Sequence, residues 1–339
     1  MIDLRSDTVT KPTDEMRRVM ASAEVDDDVL GHDPTVQRLE EQTAEILGKD
    51  AALFVPSGSM ANQIALKTQT TAGDEVIMEA QCHMYWYEAG APAAISGVMC
   101  QLIAGQRGLF TGDDLRGALR TPDVHFARTT LVCVEDTHNR GGGSVWPIEQ
   151  IADVAAAARE AGLKLHLDGA RLWNAAAASG VNEAEHAKYF DSVAVCFSKA
   201  LGAPVGSAIA GDADFIAEAR RFRKMFGGGM RQAGIIAAGA IYALENNRDR
   251  IADDHANAKR LAEGLAEIDG IEIDPATVET NLVYFRVTTI PAADLVEGLD
   301  AEGIALLGGN GSLRAVPNMM TSRDDIDTTL KAVAKIMKG

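Results

Sequence analysis

Between about Pro34 and Gly211, short apolar runs alternate with stretches of helical period. The runs AALFV (51–55), EVIMEA (75–80), TLVCVED (130–136), LKLHLDG (163–169) and SVAVCFS (192–198) are largely continuous rather than alternating. Strands covered on both faces look like this. The segment PTVQRLEEQTAEILG opens with Pro34, suited to a first helical turn, and closes on Gly48. IEQIADVAAAAREAG (148–162) places Ile148, Ile151, Val154 and Ala155 on one face and ends in Gly162. Strands alternating with helices predict an α/β fold, a mostly parallel central sheet with helices on both sides.

The pattern changes near Asp249. A long helical stretch, RIADDHANAKRLAEGLAEI, precedes the apolar LVYFRV, a further helix, SLRAVP and the helical DDIDTTLKAVAKIMK. The expected organisation is an N-terminal segment over 1–15, a large domain over 16–248 and a smaller α+β C-terminal domain over 249–339.

The 339 residues carry 32 Lys and Arg against 49 Asp and Glu, a net charge of −17. That balance argues against a nucleic-acid or anionic-membrane surface. No apolar run reaches the length of about 18 residues that a membrane span requires. Cys82, Cys100, Cys133 and Cys196 form no CxxC pair and no zinc spacing, so no metal site is expected. Free thiols inside apolar runs suit a reducing compartment. With a polar N-terminus that lacks an apolar signal core, they predict a cytoplasmic protein.

Ligands of open parallel sheets sit beyond the carboxyl ends of the strands. The residues closing each run are Ser57-Gly58-Ser59, His83, Glu135-Asp136, Asp168-Gly169-Ala170-Arg171 and Ser198-Lys199. Lys199 is either a solvated loop residue or an amine held in a pocket. Its small apolar neighbours, Ala-Leu-Gly-Ala-Pro-Val-Gly, favour the pocket, where a lysine is a nucleophile towards carbonyls. Asp168 reads as a turn aspartate or as a carboxylate beside that lysine. A lysine that forms a Schiff base and an aspartate facing the ring nitrogen are what pyridoxal phosphate requires. The Ser/Gly loop opening a helix offers free N–H groups to a phosphate. By themselves those residues are also an ordinary helix cap.

The stretches DLRSDTVT (3–10), Asp33-Pro34-Thr35, SGSMAN (57–62), His83, HFART (125–129), HLDGAR (166–171), SKALGAPVGS (198–207) and GGGMRQ (227–232) together resemble the L-threonine aldolases of the low-specificity type. The resemblance implies a fold-type-I pyridoxal 5'-phosphate enzyme. In it Lys199 bonds covalently to the cofactor, Asp168 pairs with the ring nitrogen and His83 stacks on the ring. Gly58, Ser59 and an Arg231 from a partner chain help hold the phosphate, with Arg171 nearby. Ser6, Arg171 and Arg314 bind the substrate carboxylate. His83 and His125 lie near the β-hydroxyl. Leu30, where the family often has Tyr, and Tyr87 either shape the substrate mouth or pack between subunits. The implied reaction cleaves the Cα–Cβ bond of an L-β-hydroxy-α-amino acid to glycine and an aldehyde. The implied assembly is a homotetramer with sites shared between chains.

Against the family's usual pattern, Ser59 stands for Thr, Ala200 for Gly, Leu30 for Tyr and Asp136 for Asn. Pro317-Asn318 stands where a Thr-His pair follows the Arg-x-Val. A phenylserine-preferring aldolase, a β-eliminating lyase or a racemase would share Lys199 and Asp168. A nucleotide-binding protein on a doubly wound scaffold lacks support, for no GxGxxG follows a first strand and Lys199 would go unexplained.

Overall fold

The computed structural model describes residues 1–309 and 311–338. Its large sheet has strands β1 (Ala51–Val55), β2 (Glu75–Glu79), β3 (Met99–Ile103), β4 (Thr129–Glu135), β5 (Lys164–Gly169), β6 (Ser192–Cys196) and β7 (Ser207–Gly211). Their order across the sheet is β3-β2-β4-β5-β6-β7-β1. Only β7 runs against its neighbours β6 and β1. Every residue of β2, β6 and β7 is buried, the two-sided covering that the continuous apolar runs predict.

The five predicted strands form within a residue or two of their expected bounds. Two more were not legible. β3 (MCQLI) is an edge strand paired on one side only and partly exposed. β7 (SAIAG) consists of small residues without β-branched character apart from Ile209, and only its place between two strands makes it extend.

Local chemistry sets the helix ends. In α1 (Pro34–Leu47) the Asp33 carboxylate accepts from the Thr35 and Val36 N–H groups, and Gly48 closes the helix at φ 61°. In α3 (Ile148–Glu160) the buried face is Ile151, Val154, Ala155, Ala157 and Ala158. Between these in sequence lies α2 (Gly58–Gln69), capped by the Ser57 side chain accepting from the Met60 N–H. Fully burying one Leu, Ile or Phe stabilises by about 1.5–3 kcal/mol, so these faces hold the helices on the sheet.

A second core sits in the C-terminal part. Leu261, Leu265, Val283, Phe285, Leu295, Leu299, Leu313 and Val333 pack there with Leu4. An antiparallel sheet of Leu307–Gly309, Ser312–Ala315, Val283–Val287 and Ile271–Glu272 lines it. Helix α4 (Ile251–Ala266) joins the two cores, with Ile251 in the large one and Ala258, Leu261 and Ala262 in the small one. The first residues also belong here, because Ile2–Asp3 pairs in parallel with Ile304–Ala305. That pairing delivers Ser6 and Asp7 to the rim of the large sheet. Among the described residues no helix is long and apolar enough to cross a membrane.

Candidate active site

β4, β5 and β6 run in parallel, so their carboxyl ends share one rim. Lys199 follows β6 on a loop that two glycines make possible. Gly202 has φ 76°, and a Cβ there would lie 2.0 Å from Met319 Sδ. Gly206 has φ 114°, and its Cβ would lie 2.6 Å from the Phe54 ring. Ala200 is not at positive φ, so replacing the family's glycine costs no backbone strain. The Lys199 side chain enters a cleft of about 810 Å³ lined also by Ser6, His83, Tyr87, Arg171 and Arg314. It is half-buried rather than enclosed in an apolar pocket, and its amine makes no hydrogen bond or ion pair with any described residue.

Behind the cleft a buried polar group surrounds Asp168, which is 2% exposed. The Asn62 side-chain amide donates to Asp168 Oδ2 and to Glu88 Oε1, both at 2.8 Å. Gln63 donates to Glu88 Oε2 at 2.6 Å, and His83 Nδ1 lies 3.0 Å from Glu88 Oε1. The Ala170 N–H donates to Asp168 Oδ1 at 3.2 Å. Burial lowers the pKa of His83, but the Glu88 hydrogen bond and the charge of Asp168 outweigh it and raise the imidazole above 6.5. The ligand atoms of His83, Glu88 and Asp168 lie within 4.8 Å of one another, yet both carboxylates already accept from the Asn62 amide.

On the cleft wall, Asp7 holds Arg171 by two bonds of 2.8 Å, Nε to Oδ2 and Nη2 to Oδ1. Asp7 is fully buried and Arg171 nearly so. Arg314 donates to Asn139 Oδ1 at 3.2 Å and to the Arg5 carbonyl at 3.0 Å. The cleft thus presents Lys199, the guanidinium groups of Arg140, Arg171 and Arg314, a serine hydroxyl and an imidazole. That is a cationic site for a small anion with a reactive amine in it. Asn139, Arg140 and Tyr284 also line it and carried no sequence signal. Asp7, Asn62 and Glu88 carried a weak one, since Asp7 and Asn62 lie inside motifs singled out above and Glu88 follows His83 by about one helical turn.

The other expected residues divide between this rim and the surface. Gly58 and Ser59 open α2 at the same rim, where a Cβ on Gly58 would meet Cys196 Sγ at 2.8 Å. His125 sits on the loop entering β4, at the amino ends of the parallel strands and so opposite the rim of Lys199, beside Asp123 and with its side chain 82% exposed. Leu30 is 65% exposed. Arg231 pairs with Asp27 at 2.9 Å, and the Asp28 N–H donates to the Arg231 carbonyl at 2.9 Å. Leu30 and Arg231 therefore share one surface unit outside the cleft of their own chain.

The departures at Asp136 and Asn318 have structural partners. Asp136 Oδ2 lies 3.2 Å from His186 Nδ1, both fully buried, so aspartate stands here with a histidine of its own. Asn318 is fully buried and donates to the Asp3 and Val316 carbonyls, tying down the N-terminal strand. His138, 3.0 Å from Glu79, is likewise a buried structural group.

Comparison with known proteins agrees with this geometry. The chain matches the beta-eliminating lyase family over residues 3–288. It is 44% identical over 344 residues to low-specificity L-threonine aldolase 1 of Arabidopsis thaliana, covering 99% of this chain and 96% of the relative. It is 43% identical to the low specificity L-threonine aldolase of Escherichia coli strain K12, covering 96% of each. The fold is shared with a threonine aldolase of Leishmania major (TM-score 0.85, 19% identity, 99% of this chain and 100% of that one). It is also shared with a putative L-allo-threonine aldolase of Listeria monocytogenes (TM-score 0.82, 24% identity, 96% and 93%). With its sheet order, its lysine at a strand end and identity along nearly its whole length, the chain belongs to the beta-eliminating lyase family, among the low-specificity L-threonine aldolases.

Proposed function

We propose that the protein is a pyridoxal-phosphate aldolase that cleaves the Cα–Cβ bond of L-threonine, L-allo-threonine or a related L-β-hydroxy-α-amino acid, reversibly, to glycine and an aldehyde. The observation that carries the reading is Lys199, an amine with no partner among the described residues, in a cleft that also holds Arg171, Arg314 and Ser6. The cofactor fits these residues. Lys199 would bond its aldehyde carbon, and Asp168, whose two oxygens accept from the Asn62 amide and the Ala170 N–H, would face the ring nitrogen. The first-turn N–H groups of α2, at Gly58 and Ser59, suit the phosphate. Bound there, pyridoxal phosphate supplies the electron sink for the bond that breaks.

The chain's own groups do the rest. Arg171 and Arg314, with Ser6, bind the substrate carboxylate and fix which substituent of Cα stands in line for cleavage, which is orientation used as catalysis. His83 gives Nδ1 to Glu88 and keeps Nε2 for the cleft. That nitrogen takes the β-hydroxyl proton, directly or through a water. Tyr87, which lines the same cleft and receives a hydrogen bond from Arg140 at 3.0 Å, bounds the space for the β-substituent.

The reading includes sites shared between copies of the chain, in a homotetramer. Arg231, His125 and Leu30 are exposed and lie outside the cleft of their own chain, and this supports their delivery to a neighbour's site.

The test is incubation of the purified protein with L-threonine, L-allo-threonine and L-phenylserine. Glycine and one equivalent of aldehyde are expected, with a visible absorption band that borohydride abolishes. Release of ammonia and a 2-oxo acid without glycine would replace the aldolase by a β-eliminating enzyme. Absence of the band would remove the cofactor.

A further inference from the structure

A fully buried chain of polar side chains extends behind Asp168, away from the cleft. His166 stands two residues before Asp168 on β5 and therefore on the same face of the sheet. Its Nε2 lies 3.1 Å from Asn62 Oδ1 and its Nδ1 2.8 Å from Ser192 Oγ. Ser192 opens β6 directly opposite His166 in the parallel register. Gln69, two turns along α2 from Asn62, donates to Ser192 Oγ at 2.8 Å. His166 and Ser192 are fully buried, and Asn62 is 2% exposed.

The inventory of side-chain donors and acceptors favours one arrangement of protons. Both Asn62 N–H groups point at carboxylates, Asp168 and Glu88, so its amide cannot be turned over without setting an oxygen against two anions. The Asn62 oxygen then faces His166 Nε2, which must carry a proton. Burial lowers the imidazole pKa to about 4, so the ring is neutral and Nδ1 is an acceptor. The Ser192 hydroxyl donates to Nδ1 and its oxygen accepts from Gln69. Every proton runs one way, from Gln69 through Ser192 and His166 to Asn62, and ends as an N–H aimed at Asp168.

Resting on the cofactor reading above, we propose that Asn62, locked by His166, Ser192 and Gln69, is the positioning residue for both functional carboxylates of the site. One N–H of the amide fixes the orientation of Asp168, the acceptor for the ring nitrogen. The second N–H fixes Glu88, which orients His83. The chain is a lock and not a proton wire, since its two ends, the Gln69 and Asn62 side-chain amides, do not give up a proton near neutral pH. It also ties the ring-nitrogen partner to the base, so one perturbation moves both.

The test uses the holoenzyme labelled with ¹⁵N-histidine. The His166 ring should stay neutral with its proton on Nε2 between about pH 6 and 9. A proton on Nδ1, or a charged ring, overturns the proposal. Asn62→Asp turns the amide donor into a third carboxyl facing two others. Positioning groups behind a functional group are worth about 10- to 100-fold, so kcat should fall and the apoenzyme's Kd for pyridoxal phosphate rise by such factors. KM for L-threonine should stay within about threefold, because the carboxylate-binding arginines are untouched. The pH at which the visible band titrates should move as well.

Should Asn62→Asp not fold, Ser192→Ala removes only a hydroxyl. It should give a mixed His166 tautomer and a smaller shift of the same band in the same direction. Variants that melt earlier yet keep the wild-type band titration and kcat would make the chain merely structural and overturn the proposal. A wild-type protein without a borohydride-sensitive band would overturn the cofactor reading beneath it.

Discussion

Asp7→Asn tests the cleft at its most deeply buried ion pair. Burial alone would push the Asp7 carboxyl up, but the charge of Arg171, the hydrogen bonds from it and the charge of Lys199 bring it from 3.8 down to about 2. That depression corresponds to about 2 kcal/mol of stability at neutral pH. Breaking a buried pair by removing one partner costs about 3–5 kcal/mol, and asparagine, which keeps the shape and part of the hydrogen bonding, should fall near the lower figure. Because the folded-state pKa is the lower one, the contribution is complete above 3.8 and is lost as pH falls towards 2. About half should be gone by pH 3.

Urea unfolding of the two proteins at several pH values measures this gap directly. It should be about 2–3 kcal/mol at pH 7 and about half that at pH 3. In activity, Arg171 loses the carboxylate that aims its fork, so kcat/KM for L-threonine should drop at least about tenfold, carried by KM. A gap below about 1 kcal/mol, or one that is the same at both pH values, would show that the fold does not lean on an ionised Asp7. An unchanged KM would remove Arg171 from carboxylate binding.

Lys199→Ala should abolish turnover with the fold intact, and borohydride should label the wild-type peptide containing Lys199; residual activity within about tenfold of wild type refutes the assignment. Mixing inactive Lys199→Ala with inactive Arg231→Ala subunits should restore part of the activity through hybrid sites. No recovery under conditions where subunits demonstrably exchange would mean that each site is built by one chain. Wild-type kcat/KM should climb as pH rises through the His83 ionisation, above 6.5, and Glu88→Gln should move that limb to lower pH because the partner holding the imidazolium is gone. Leu30→Tyr should change the kcat/KM ratio of L-phenylserine to L-threonine by about tenfold, against the larger substrate. If the ratio holds, Leu30 never meets substrate.

Five strands, the capped helix Pro34–Leu47 and the helix from Ile148 were legible because each is specified locally, by a run of apolar residues or by a cap within four residues. The same holds for Lys199, Asp168 and His83, since a parallel sheet sends the end of every strand to one rim, and reading those ends is reading the site. β7 was not legible, because its small residues extend only once β6 and β1 flank them on either side.

What the tertiary structure decided is how these residues are paired. Asp7 and Arg171 are 164 positions apart and meet because the N-terminal strand is stitched to Ile304–Ala305 in the second core. Asp136 is a departure in sequence and one half of a buried pair with His186 in space. His125, predicted for the same site as His83, stands at the opposite rim of its own sheet, because it precedes its strand where His83 follows one. The sequence by itself determined the elements and the residue types at each strand end, because those depend on near neighbours. Only the fold decided which carboxylate faces which cation and which hydrogen points at Asp168, because those depend on distances between segments far apart in the chain.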